Sequence, residues 1–400
     1  MLDAAVAPPT TRWNRNLIVC TLGSFTTIVA MTLLLPFLPV YVQELGVSNR
    51  AAIAEWSGAA YGATFFSAAL TAPLWGRLAD RYGRKLMLIR ASLGMAVAMS
   101  LIGMAHNVVE LVALRLLAGL LGGYASGCMA LIAAQTPKER AGWALGVVAT
   151  GNMAGNLAGP LIGGTLPPFI GIRATFLLAG GVIFVTFLAT VFLIHEERRQ
   201  QPAPSKKTGG HWAQIPQKQP VLVMLATGFL LMLANMSIEP IITVYVAQLV
   251  PQAHVIFVSG LVMAASALGA VVSSSRLGHL ADRIGYRPVI SACLGAAAIL
   301  LIPQAFVTAG WQLILLRFLM GLALGGLVPC IAAVIRHIVP QEMLSGALGY
   351  SISSQYAGQV LGPLSGGFIG GHIGMSAVFL ITSGLMGIGA AANWLFARPA

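Results

Sequence analysis

Apolar residues run along this chain in long, nearly unbroken stretches separated by short polar segments. Twelve such stretches can be placed, at 16–42, 54–76, 86–105, 108–134, 142–166, 174–194, 221–247, 255–277, 288–307, 311–336, 344–369 and 375–397. A run of about twenty apolar residues is long enough to cross a ~30 Å hydrocarbon layer as a helix. Only helices or closed barrels keep their backbone hydrogen-bonded in lipid, and a barrel would read as strands of about ten alternating residues. The runs here are continuous, so the prediction is an all-α membrane protein of twelve transmembrane helices. The stretch NLIVCTLGSFTTIVAMTLLLPFLPVYV follows Arg12 and Arg15 and is too long for the core of a cleaved leader, so it reads as the first span.

Composition agrees. The chain is 57% hydrophobic with mean hydropathy +0.84, and only 8% of it is charged, against roughly a quarter in soluble domains. The net charge of +12 would suit a nucleic-acid binder, but the basic residues are scattered over loops and form no single face. Of the 23 Lys and Arg, seventeen fall in the two terminal tails and in alternate loops. That bias puts both termini in the cytoplasm. Trp56, Trp75, Trp143, Trp311 and Trp394 lie near span ends, with Trp13 and Trp212 just outside, as in an interfacial aromatic belt. Cys20, Cys128, Cys293 and Cys330 have no paired spacing and read as small buried residues, not as a metal site or a disulfide framework.

The polar segments repeat. GRLADRYGRK begins at Gly76 and GHLADRIGYR at Gly278, an offset of 202. LRLLAGLLGG (Leu114–Gly123) has its counterpart in LRFLMGLALGG (Leu316–Gly326), pairing Arg115 with Arg317. GNLAGPLIGG (Gly155–Gly164) pairs with GQVLGPLSGG (Gly358–Gly367), and PFLPVYV (Pro36–Val42) with PIITVYV (Pro240–Val246). Matches in the same order at nearly one offset imply a duplicated six-helix unit. The expected organisation is a first bundle over 1–194, a polar cytoplasmic linker over 195–220 and a second bundle over 221–400. Parallel repeats of this kind hold a substrate site at the midplane between them.

On these motifs the chain resembles the major facilitator superfamily over essentially its full length, and its drug:proton antiporter branch in particular. GRLADRYGRK fits the loop signature of that superfamily. Gly146, Gly155, Gly159, Pro160, Gly163 and Gly164 follow the fifth-helix pattern associated with antiporters. LVALRLLAGLLGG looks like the fourth-helix motif with its membrane arginine, here Arg115. RNLIV, PFLPVYV, GRKLML and GWALG look most like MdtG-type multidrug exporters. The resemblance implies a secondary transporter in a bacterial inner membrane, working by alternating access. It implies a cytoplasmic latch made of Gly76, Asp80, Arg81, Gly83, Arg84 and Lys85, repeated as Gly278, Asp282 and Arg283, that holds the halves together when the site faces outward. In such a latch a helix ends near Gly76, Asp80 can accept from N–H groups opening the next helix, and the basic residues can pair with carboxylates or helix C-terminal ends.

Gly155, Gly159 and Gly163 recur every four residues on one helical stripe, and Gly358, Gly362 and Gly366 repeat it beside Pro363. Small-residue stripes let helices approach closely in lipid. Beside each stripe runs an amide pair, Asn152 with Asn156 and Gln355 with Gln359, which would wall a central cavity. Tyr124 and Tyr356 are candidate stacking surfaces there. Met153, Met232, Met236 and Met263, with Asn235, would add an adaptable lining. Acids are scarce, and only Glu239 interrupts an apolar span. An ionisable group inside a membrane helix is a functional candidate, so Glu239 is the expected proton site, with Arg115 at a comparable depth. Pro240 beside it predicts a helix break. Many antiporters of the branch carry an acid in the first helix; this chain has none. The expected partners are protons, membrane lipid and amphipathic or cationic small molecules, with no cofactor, no metal and a monomeric state. A selective metabolite exporter or facilitator, for a sugar for example, is the alternative. No HExxH, intramembrane His/Asp pair or nucleophile elbow points to an enzyme.

Overall fold

The structure is a computed structural model that describes residues 9–137, 139–196 and 218–396. Most of the expected linker, with Trp212, lies outside the described residues. Among those described there is no strand. The first part of the chain holds α1 (Pro9–Thr32), α2 (Leu38–Glu44), α3 (Arg50–Tyr82), α4 (Arg84–Gly103), α5 (Val108–Leu121), α6 (Tyr124–Gln135), α7 (Ala141–Thr165), α8 (Pro167–Ile170) and α9 (Ile172–Leu193). The second holds α10 (Lys218–Val246), α11 (Val255–Ile284), α12 (Tyr286–Gln304), α13 (Gly310–Leu324), α14 (Leu327–Ile338), α15 (Gln341–His372) and α16 (Met375–Phe396).

Nine helical stretches among the described residues are long and apolar enough to cross a membrane. Three further long helices, α3, α7 and α15, are richer in glycine, hydroxyl and charged residues. All three take part in the contacts across the molecule, α3 against α15 and α7 against α11. A helix covered by neighbours has less need of a lipid-compatible surface.

Three predicted spans are each two helices. The break between α5 and α6 falls at Gly122–Gly123, where Gly123 adopts φ +100°. The freed carbonyl of Leu120 accepts from Trp75 Nε1 at 2.8 Å, and that of Leu121 from Arg90 Nη1 at 3.0 Å. Arg90 lies over the Trp75 ring at 3.6 Å, so an arginine within a span is accounted for by the carbonyls it caps. The repeat break, between α13 and α14, falls at Gly325–Gly326. Elsewhere the helices outrun expectation. α3 continues through Gly76 to Tyr82 and turns only at Gly83, whose φ of +100° suits glycine. α10 runs through Pro240 without ending, because one missing N–H frees a single carbonyl while the flanking turns stay packed.

Helices before the linker pack among themselves, as do those after it. α3 with α15, α7 with α11 and α10 with α2 and α3 join the two sets. These joins lie toward one end, called outer here. A Cβ on Gly164 would stand 3.0 Å from Gly260 Cα, and one on Gly371 would stand 3.0 Å from Ala51 O. Thr243 Oγ1 donates to Pro36 O at 3.0 Å, and Glu55 pairs with His372 at 3.0 Å. At the opposite end, which carries both decapeptides, a Cβ on Gly76, Gly146, Gly278, Gly346 or Gly349 would meet nothing within 4 Å. Buried apolar side chains repeat this asymmetry. One cluster runs through both sets, while a smaller one, including Trp13, Leu88, Cys128 and Val148, belongs to the first set alone. The sets are closed together at the outer end and apart at the other.

Candidate functional site

Between the two sets lies a cavity of about 530 Å³. α1, α3, α5 and α7 line one wall, and α10, α11, α13, α14 and α15 the other. Most of the lining is apolar, with Met31, Met153, Met232, Met236 and Met263 among it. The charged groups on the lining are Arg115, Glu239 and Arg317.

Glu239 projects from α10 at the closed side of this cavity. Its Oε2 accepts a hydrogen bond from the Tyr61 hydroxyl of α3, in the other set, at 2.5 Å. Arg115, 1% exposed, donates from Nε to Ala60 O at 3.3 Å. Arg115 and Glu239 are therefore joined through two consecutive residues of α3, without touching. Arg317, 3% exposed, sits 5.9 Å from the Phe379 ring centre. Arg115 Nη1 and Arg317 Nε and Nη2 are buried with no hydrogen-bond partner. Neither guanidinium is within ion-pairing distance of a carboxylate among the described residues. Unmatched buried N–H groups are costly, so each wall presents guanidinium donors that an acceptor would satisfy.

Of the residues expected to contact substrate, Asn156, Met232, Asn235, Met236, Glu239 and Gln359 line the cavity. Tyr124 does not. It is 1% exposed in the first set's own core, where its hydroxyl and that of Thr190 are 2.7 Å apart. The Gly123 break redirects the helix that carries it. Asn152 is also off the lining, its backbone carbonyl accepting from Asn156 Nδ2 at 3.1 Å. Gln355 is turned onto Ser351 Oγ at 3.3 Å and packs against Gly228. Tyr356 is half-buried away from the cavity. The four-residue spacing put each amide pair on one helical face, but only its deeper member reaches the cavity. Tyr61, Phe65 and Arg317 were missed as site residues. The repeat match with Arg115 was a signal for Arg317; Tyr61 sits in an unremarkable apolar run and had none.

The decapeptide is fastened differently from expectation. Asp80 is exposed and its side chain makes no hydrogen bond among the described residues. Glu196, from the chain just beyond α9, takes the cap: Arg84 N donates to its Oε1 at 2.9 Å and Lys85 N to its Oε2 at 2.8 Å. Arg84 Nη1 donates to Ala130 O at 2.6 Å and Lys85 Nζ to Val191 O at 2.8 Å. Arg84 and Lys85 thus bind within the first set, while Asp80 and Arg81 are exposed, with Arg81 5.3 Å from the Tyr82 ring centre. In the second copy Tyr286 stands at the position of Arg84 and donates to Asp282, a bond that keeps the Tyr286 hydroxyl above its usual range. Arg283 is exposed.

The glycine stripes pack within each set. Gly155, Gly159 and Gly163 lie against α1, where a Cβ on Gly155 would fall 2.9 Å from Phe25 O. Gly358, Gly362 and Gly366 lie against α10, and Pro363 faces Gly58 of α3.

The sequence model described as Major Facilitator Superfamily matches residues 20–255 and 254–400. Among curated relatives, the multidrug resistance protein MdtG of Salmonella dublin is 41% identical over 387 residues, covering 96% of this chain and 95% of that protein. Its namesake in Dickeya zeae is 40% identical over 390 residues, with the same coverage. Among solved structures, the nucleoside transporter NupG superposes with TM-score 0.78 at 14% identity, over 97% of this chain and 99% of that one. A bacterial homologue of the human lysosomal transporter Spinster, in an inward-facing and unoccupied conformation, gives TM-score 0.77 at 13% identity over 98% of both chains. These structural likenesses concern the fold.

Proposed function

The chain belongs to the major facilitator superfamily and is a membrane transporter, not an enzyme, and from that premise we propose that it exports amphipathic drug-like compounds in exchange for protons. The proposed organisation is twelve spans in two bundles, 1–194 and 221–400, joined by a linker at 195–220, with both termini in the cytoplasm of a bacterial inner-membrane protein. The decapeptide end is then cytoplasmic, and the cavity faces inward. Asp80, whose side chain makes no hydrogen bond among the described residues, and Arg81, held only over the Tyr82 ring, are the latch residues available to engage when the inner end closes.

The observation that carries this reading is Glu239, the one carboxylate on the lining among the described residues, at the seam between the sets. A substrate donor or cation and a proton compete for the same oxygens, so loading one expels the other. One charge crossing ~100 mV supplies about 2.3 kcal/mol, roughly forty-fold accumulation of a neutral or zwitterionic substrate under tight coupling. Two guanidiniums against one carboxylate leave the lining at +1 (2 − 1) with Glu239 ionised. That balance narrows the cationic expectation toward amphipathic compounds that also bring an acceptor or acid to Arg115 and Arg317.

The test uses inside-out vesicles acidified within, offered cationic, zwitterionic, acidic and sugar probes. Chemically unrelated amphipathic compounds should accumulate while the gradient lasts. Accumulation of a single sugar, independent of the gradient, would favour the metabolite facilitator instead.

A further inference from the structure

Tyr61 belongs to the first helix set and Glu239 to the second, so their 2.5 Å hydrogen bond crosses the seam that must open for the cavity to face outward. We propose that Tyr61 is the positioning residue that ties proton binding at Glu239 to which end of the transporter is open. The inference rests on Glu239 being the proton site proposed above.

Tyr61 is fixed to its own set. It is 5% exposed, and Phe65 one turn on meets its ring edge-on, with centroids 5.2 Å apart. The carbonyl of the preceding residue, Ala60, holds Arg115 Nε. Glu239 is equally fixed to the other set, within a continuous α10 whose outer end is buried. Around the pair the seam is closed by backbone contacts. Gly58 packs on the Pro363 carbonyl, a Cβ on Gly62 would lie 3.2 Å from Val360 O, and Thr243 donates to Pro36 O. No arrangement that parts α3 from α10 and α15 at this end can keep a bond of 2.5 Å between them. The bond is therefore a property of the outer-closed state.

Its chemical consequence follows. A phenol hydroxyl donates to a carboxylate, and a hydrogen bond to the charged form favours that form. With the outer end closed, burial disfavours charge on Glu239, and the Tyr61 hydroxyl on its Oε2 is the donor that favours the carboxylate against it, ready to yield to a substrate donor from the cavity. When the outer end opens, the donor leaves with α3, external water reaches the carboxyl, and a proton takes its place. Closing again returns the hydroxyl and sends the proton out through the cavity. Proton loading outside and release inside is the sequence that drives export, and it needs no second acid in the first helix.

The experiment is an infrared titration of the full-length protein in lipid, following the protonated-carboxyl band that disappears in Glu239→Gln. Tyr61→Phe removes the hydroxyl and keeps the ring. Its band should titrate about one pH unit higher than in the unsubstituted protein, a tenfold tighter hold on the proton. A cross-link between cysteines replacing Glu55 and His372, which holds the outer end shut, should move the midpoint to lower pH when Tyr61 is present and leave it unmoved in Tyr61→Phe. This second arm stands even where Tyr61→Phe folds poorly, because a cross-linked protein with Tyr61 intact must still shift. Equal midpoints with and without the hydroxyl, or no shift on cross-linking, overturn the inference. If Glu239→Gln removes no titrating carboxyl band, the proton-site reading itself falls, and the inference with it.

Discussion

Gly164 of α7 and Gly260 of α11 meet backbone to backbone across the outer seam: a Cβ on Gly164 would lie 3.0 Å from Gly260 Cα, and one on Gly260 2.8 Å from Gly164 Cα. No side chain fits there without parting the helices. Gly260→Leu should therefore wedge the outer end open, at a cost to this state of about 1–3 kcal/mol by overpacking. Spin labels on the outer ends of α7 and α11 should report longer distances than in the unsubstituted protein. Unchanged distances in a folded variant would mean the seam yields elsewhere.

Two glycines of one helix should behave oppositely. Gly163 faces the α1 backbone, where a Cβ would lie 2.6 Å from the Leu33 carbonyl carbon, whereas a Cβ on Gly146 meets nothing within 4 Å. Gly163→Ala should destabilise by about 1–3 kcal/mol, and Gly146→Ala by less than about 0.5 kcal/mol. Thermal unfolding in detergent compares them. Equal losses would place Gly146 in a packed contact that the open end does not provide.

The decapeptides, alike in sequence, are held differently. Asp282 accepts from Tyr286 on its own side, while Asp80 is exposed and its side chain makes no hydrogen bond among the described residues. Asp80→Asn should lower transport several-fold, and Asp282→Asn less, with both proteins equally stable in the inner-open state. Transport rates at matched expression are the measure; equal rates for the two would contradict the asymmetry.

Glu196 closes the first decapeptide with two charge-assisted bonds to the N-terminus of α4. Loss of such a cap costs about 0.5–2 kcal/mol, and a carboxylate there gains further from the helix dipole. Glu196→Ala should thus lower stability by about 1–2 kcal/mol, with Glu196→Gln milder. The check is the unfolding midpoint of each variant against Asp80→Asn, which should stay at the unsubstituted value.

The all-helical fold was legible because lipid imposes a blunt rule: long apolar runs must be helices, and charged residues must collect at their ends. The site was legible only in part. Glu239, Arg115 and the deeper amides announced themselves as polar groups in apolar runs. Which amide of each pair faces the cavity depends on small rotations of α7 and α15, and four-residue spacing does not fix those. Tyr124 was misplaced because the Gly122–Gly123 break was not anticipated. Asp80 was assigned a cap that Glu196 supplies from over a hundred residues away in sequence. Tyr61 becomes a candidate only by meeting Glu239 across the seam, a relationship absent from either local sequence.

The central claim is that Glu239 carries the proton that substrate displaces. It is tested most directly by Glu239→Gln in proteoliposomes, recording pH change when an amphipathic probe that the unsubstituted protein transports is added. The account predicts that probe-dependent proton movement disappears while probe binding persists within several-fold. Proton movement of undiminished size in that variant would contradict it.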